Sequence, residues 1–198
     1  MQISSPYKNT KQETKISLEP YHMNSDIRNN MSIILKKKVE KKCNEYGYID
    51  EVYRIIKYSD GNMPPENLSG ISFIDIEYHC KMCIPCENTT IIGQIKVLNL
   101  EIIVCVNGPI MIFITKDNID TNTFVINDGY VNKNTKKKLV NGDFVQVKIL
   151  NKRINNGDSQ IKTIGILIDN ATSEQVSSYF GSNVSENKDD EKNNSFII

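Results

Sequence analysis

The stretch that most constrains this chain is IIGQIKVLNLEIIVCVNGPIMIFITKD, from Ile91 to Asp117. Ile, Val, Leu and Phe dominate it, polar residues alternate with them, and a short turn and a Gly108-Pro109 corner divide it. β-branched and aromatic residues suit a pleated surface that is wet on one face and covered on the other. Three consecutive strands are therefore expected. Two more follow, DFVQVKILNKR from Asp143 to Arg153 and SQIKTIGILID from Ser159 to Asp169, separated by an Asn155-Asn156-Gly157-Asp158 turn.

Five short strands interrupted between the third and the fourth are the pattern of a small OB-type barrel, a fold whose exposed strand face commonly binds nucleic acid. The interruption, Asn118 to Asn141, carries Phe124, Val125, Ile126, Tyr130 and Val131 among polar residues. An ordered excursion is expected there.

Charge narrows the function. Lys plus Arg total 24 and Asp plus Glu total 24 in 198 residues, so affinity for a polyanion has to come from a local patch. That length suits one large domain or two small ones. No apolar run is long enough to cross a bilayer, and Met1 to Glu19 has no signal-peptide pattern. An intracellular protein is expected, with its five cysteines reduced.

Ahead of the barrel, Met1 to Lys15 is polar and aperiodic and is predicted to be a flexible leader over residues 1–14. KISLEP can form a short strand stopped by Pro20. Asn24 or Ser25 offers an N-cap oxygen, and Ile27, Met31, Ile34 and Leu35 share one helical face, which predicts a helix over about Ser25 to Lys38. Lys36, Lys37 and Lys38 suit the negative end of its dipole and read as a solvated helix end. Val39 to Cys43 and Ile49 to Tyr58 read as strands around a Tyr46-Gly47-Tyr48 break. Ser59 to Gly70, with its double Pro64-Pro65, is predicted to be an exposed loop. Ile71 to Pro85 reads as a strand with a bulge. The organisation is α+β and mainly β, with an N-terminal domain over 15–87, the barrel over 88–170, a short helix over 171–181 and a disordered tail over 182–198. The tail ends on the apolar Phe196, Ile197 and Ile198.

The most metal-like motif is His79-Cys80 followed by Cys83 and Cys86. Thiolates at such spacing can hold zinc, but on an extended strand Cys80 and Cys86 face one way and Cys83 the other, and no second cluster completes a site. No metal or other cofactor is expected. His22 and His79 sit in no recognisable nucleophile constellation, and Gly108 stands alone with no phosphate loop around it. No catalysis is expected.

The order of the pieces resembles the stalk subunit of multisubunit DNA-directed RNA polymerase, the family of the eukaryotic seventh-largest subunit and its archaeal counterpart, also carried by large DNA viruses. ISLEP, the helix and VEKKCNEYGYI are similar to its opening strand, helix and Gly-aromatic break. FIDIEYHCKMCIPCENTTIIGQI resembles the passage into its barrel, VNGPIMIFITKD its Gly-Pro corner and Phe-containing strand, and KTIGILID its last strand. The resemblance covers about Lys15 to Asp169. It implies a truncated RNP-like N-terminal domain followed by a five-stranded OB barrel. It also implies docking on the polymerase core subunits beside the clamp, pairing with a second stalk subunit, and a barrel facing the nascent RNA. Viral factory and virion, nucleus or archaeal cytoplasm are the compartments it allows, and the Asn, Lys and Ile bias leans to a virus.

By that analogy Tyr46, Gly47, Tyr48, Gly61, Asn62, Pro64 and Pro65 are candidates for core docking, with plain surface turns as the other reading. The barrel departs from the base-stacking pattern, because Leu100 and Ile102 stand where aromatics would be and Phe113 alone keeps a ring. Lys96, Phe113, Lys116, Lys148, Lys152 and Arg153 are the candidate RNA contacts, with Lys133, Lys136, Lys137 and Lys138 in the insertion. Binding would be weak, sequence-independent and electrostatic. A free-standing single-stranded RNA-binding OB protein is the alternative.

Overall fold

A computed structural model describes residues 3–66, 68–126 and 129–185. They fall into two compact units. One holds Lys8–Ile84 and Asn155–Ser159, the other Pro85–Ile154 with the chain before Lys8 and from Gln160 onward.

The first unit is a sheet with one helix on it. β1 (Tyr7–Leu18), α1 (Ile27–Val39), β2 (Lys42–Cys43), β3 (Tyr48–Tyr58) and β4 (Ser72–Cys83) follow in sequence, and the sheet order is β1-β4-β3-β2. Its core joins Ile16 and Leu18 of β1, Met31 and Leu35 of α1, Val52 of β3, and Ile74, Ile76, Tyr78, Cys80 and Met82 of β4. α1 starts at an N-cap Asp26 that makes no side-chain cap bond; Asn24 Oδ1 instead accepts from the Asp26 amide at 2.9 Å. At the other end the Lys42 ammonium donates to the carbonyls of Lys37 and Lys38, at 3.4 and 3.2 Å, and that of Lys38 to the Lys15 carbonyl. These lysines satisfy helix-end and strand carbonyls.

Two expectations need correction. The leader is not flexible over its length, because β1 takes in Tyr7 to Leu18 as an edge strand. Its covered positions at Thr10, Gln12 and Thr14 are polar and only half-buried, so the two-residue period is invisible to hydropathy until Ile16 and Leu18. Exposed Lys8, Lys11 and Lys15 are the kind of residues that keep such an edge from pairing with other chains. The bulge predicted in Ile71 to Pro85 belongs to the neighbouring strand. β4 buries every second residue from Ser72 to Met82, while β3 carries the extra residues, at Asp50, Tyr53 and Ile56.

The second unit is built on β5 (Thr90–Leu98), β6 (Ile102–Asn107), β7 (Ile110–Thr115), β8 (Phe124–Ile126), β9 (Tyr130–Asn132), β10 (Phe144–Arg153), β11 (Ile161–Asn170) and α2 (Ser173–Ser185). β5, β6, β7, β11 and β10 close a barrel in that order. Every pair is antiparallel except β7 with β11. The five expected strands are all present, and their order and directions fit an OB barrel. Gly108 makes the corner before β7 at φ +53°, a conformation costly for any residue with a Cβ.

The insertion packs across the end of the barrel where β5, β7 and β11 finish and β6 and β10 begin. Phe124, Tyr130 and Leu139 are almost fully buried. Tyr130 Oη donates to the carbonyls of Asn99 and Leu100, at 2.9 and 2.8 Å, and Asn132 Nδ2 to Asp169 Oδ1 at 2.7 Å. α2 opens with a reciprocal cap, Thr172 Oγ1 accepting from the Gln175 amide and Gln175 Oε1 from the Thr172 amide. It runs four residues beyond the expected 171–181. Tyr179 is buried, and its hydroxyl accepts from Asn107 Nδ2 at 2.9 Å. The rest of the predicted tail, with Phe196, Ile197 and Ile198, lies outside the described residues. No helix among those described is long and apolar enough to cross a membrane.

Cys43, Cys80, Cys83 and Cys105 are buried thiols and Cys86 is half-buried. β4 stops at Cys83, so the alternation assumed for Cys80, Cys83 and Cys86 does not continue to the third. Among the described residues no three His, Cys, Asp or Glu side chains stand together as a metal site. Burial inside the barrel pushes the Cys105 thiol from 9.0 up to about 12. The folded state thus disfavours its thiolate, and the stability linked to this group falls as pH rises through 9 towards 12. Timed alkylation at pH 8, followed by intact mass, is expected to modify Cys86 first and the other four only on unfolding. Early modification of Cys105 would contradict the buried position.

Candidate functional site

Strand pairing places Val97, Val104, Phe113, Ile164 and Asn151 in one row across β5, β6, β7, β11 and β10. Inward positions such as Ile95, Cys105, Ile112 and Thr163 are buried, so this row lies on the outer surface. Val97 is 43% and Ile164 47% exposed, and Val104 and Phe113 are half-buried. The next row ends with Lys162 directly opposite Arg153.

Of the candidate RNA contacts, the barrel brings Phe113, Lys152 and Arg153 together around one depression of about 240 Å3 on the outer surface. Lys162 and Ile164 share it and escaped sequence reasoning. The Lys152 ammonium donates to the Pro85 carbonyl at 2.9 Å. Lys96 occupies a bulge of β5 between Ile95 and Val97, and Lys116 begins a 3-10 turn after β7; both are exposed and outside the depression. Lys148 is half-buried and pairs with Ile166. In the insertion Lys137 pairs with Asp143 at 3.0 Å, and the Lys133 ammonium donates to the Thr121 carbonyl at 2.5 Å.

The candidate docking residues form two groups in the first unit. Asn44 Oδ1 accepts from the amides of Tyr46 and Gly47, at 2.9 and 3.0 Å, and folds the chain back into β3. A Cβ on Gly47 would stand 2.6 Å from the Cys83 carbonyl oxygen, so only glycine fits there. Tyr46 is 58% exposed, whereas Tyr48 is 8% exposed and belongs to the core. In the second group Asn62 exchanges two backbone hydrogen bonds with Phe73, both 2.9 Å, which orders the start of the Ser59–Gly70 loop. Met63 and Pro65 are exposed and Pro64 is half-buried. Exposed Tyr21 adjoins this end of the sheet, since Gly70 packs on Pro20. The two groups stand at opposite ends of β3, roughly 30 Å apart at about 3.3 Å per residue. They are two surfaces.

No family model matches the chain. Over 131 residues it is 34% identical to a protein of Acanthamoeba polyphaga mimivirus named "Putative DNA-directed RNA polymerase subunit". The chain is a homologue of that viral protein. The match takes in 66% of this chain and 66% of the viral relative, just under two thirds of its length. This similarity agrees with the sequence reading as far as a subunit of a DNA-directed RNA polymerase.

Proposed function

We propose that the chain is a noncatalytic subunit of a viral DNA-directed RNA polymerase and occupies its stalk. The observation that carries this reading is the homology to the mimivirus protein, supported by a closed barrel with the strand order of an OB fold. The first unit, as an RNP-like domain, docks on the core beside the clamp through the end that bears Ser59–Gly70, where Met63, Pro65 and Tyr21 offer apolar surface. The Tyr46 turn, at the other end of β3, is left for the second stalk subunit. The barrel faces the exiting transcript and holds it through charge, with Lys96 and Lys116 among its exposed cations and the half-buried Lys148 on β10 as a third contact.

Purifying the tagged full chain from the cells that make it tests this. The largest polymerase subunits are expected in stoichiometric amounts, in a fraction that transcribes DNA. A chain recovered free of them and bound to RNA would instead be a free-standing OB protein. Binding of oligouridylate to the full chain is expected to weaken steeply with salt. Three neutralised phosphates give a slope of about −2 in log K against log salt, roughly twentyfold between 50 and 200 mM. Binding that does not change over that range would exclude electrostatic contact.

A further inference from the structure

The depression on the barrel combines features that the transcript-facing role does not use. Its floor is Phe113 and Ile164, and its walls are Asn151, Lys152, Arg153 and Lys162, with no carboxylate among the lining residues. The floor continues sideways as an apolar strip, Val97, Val104, Phe113 and Ile164, four strands wide. The barrel does not need Ile164 for its own core, because the β11 residues on either side, Thr163 and Gly165, already fill the inward positions. Arg153 and Lys162 stand directly opposite on neighbouring strands, so two cationic side chains border the apolar surface together. A ligand with carboxylates complements that charge, and one with a large apolar side chain covers Ile164 and Phe113.

We propose that this depression is the docking site of a short acidic protein segment. One large aliphatic or aromatic side chain of the segment sits between Phe113 and Ile164, and carboxylates flanking it reach Arg153 and Lys162. RNA shares the negative charge but not the rest of the fit. Single-strand binders stack successive bases on several aromatic rings, and here one half-buried ring is bordered by Val104 and Ile164. Lys152 is also partly committed, to the Pro85 carbonyl. The inference rests on the barrel surface alone and stands or falls apart from the polymerase reading.

Fluorescence anisotropy with the full chain tests it using three labelled probes. They are a short peptide of Asp and Glu around a central Leu-Phe pair, the same peptide with Ser in place of Leu and Phe, and an oligouridylate of equal length. The Leu-Phe peptide is expected to bind at least about tenfold tighter than either of the others, the loss on truncation typical of an anchoring side chain. Ile164→Asp is expected to remove that preference. Arg153→Glu combined with Lys162→Glu should transfer it to a peptide flanked by Lys, and Lys57→Glu, at an exposed cation of the first unit, should leave it unchanged. Far-UV circular dichroism and urea midpoints equal to the parent's show that the variants fold, and Ile164→Ser serves if the aspartate does not. Equal binding of the Leu-Phe and Ser peptides, or oligouridylate binding that the peptide fails to displace and Ile164→Asp weakens, would overturn the proposal.

Discussion

Replacing Phe124 with Ala is expected to cost the barrel unit about 3 to 5 kcal/mol, the range for deleting a buried aromatic ring. Phe124 is 2% exposed and sits in β8, a three-residue strand paired only with β9. A two-stranded ribbon is marginal in water by itself, so the hairpin owes its order to what it buries on the barrel end. The cavity left by the ring would lie between hairpin and barrel, where the short strands cannot close over it. Urea unfolding followed by far-UV circular dichroism reads the loss; tyrosine emission is a second probe, since the chain has no Trp. A midpoint within error of the parent's would show that the hairpin is a passive attachment. Tyr130→Phe keeps the ring and removes only the donor to the Asn99 and Leu100 carbonyls, so it should cost far less.

Leu35→Ala is expected to destabilise the first unit by about 2 to 5 kcal/mol. α1 has 13 residues, too few for a stable isolated helix. Met31 and Leu35 are its only fully buried side chains, with Ile27, Ile34 and Val39 partly buried against the same core. Removing Leu35 takes away one of two anchors and leaves a void in the core that α1 shares with β1, β3 and β4. If the two units unfold separately, this variant shifts one transition and Phe124→Ala the other. If both shift a single transition, the chain unfolds as one cooperative body. Ile33→Ala, on the exposed side of α1, is the control and should change little.

How much of the fold is legible in the sequence depends on whether the covered side of each strand is apolar. In β6 and β7 it is, with Ile103, Cys105, Ile112 and Ile114 all buried, and the three-strand pattern is plain. In β1 the covered positions are Thr10, Gln12 and Thr14, and the strand reads as a leader. β4 follows its alternation without a slip; the sequence suggests an irregularity there because Phe73 faces outward between buried Ser72 and Ile74. The candidate docking residues read as one group because distance along β3 is invisible in a succession of turns. Lys162 and Ile164 stay hidden for a related reason. Only the parallel pairing of β11 with β7 sets Ile164 beside Phe113, and no local pattern announces a neighbour about fifty residues away.

That same pairing governs how the barrel assembles. Ile110 meets Ile161 and Phe113 meets Ile164, so this seam, like that of β5 with β10, joins strands far apart in the chain, while β5, β6 and β7 pair through short turns. Contacts between distant residues form late and slowly, because the loop between them has to be closed before they contribute anything. The β8–β9 hairpin lies inside that loop. Once folded it takes up slack chain, and the bridge of Ile119 to Leu167 ties the start of the insertion to β11. The insertion thus occupies the loop that this closure has to shorten, and by contact order the meander of β5, β6 and β7 is expected to form before the seam.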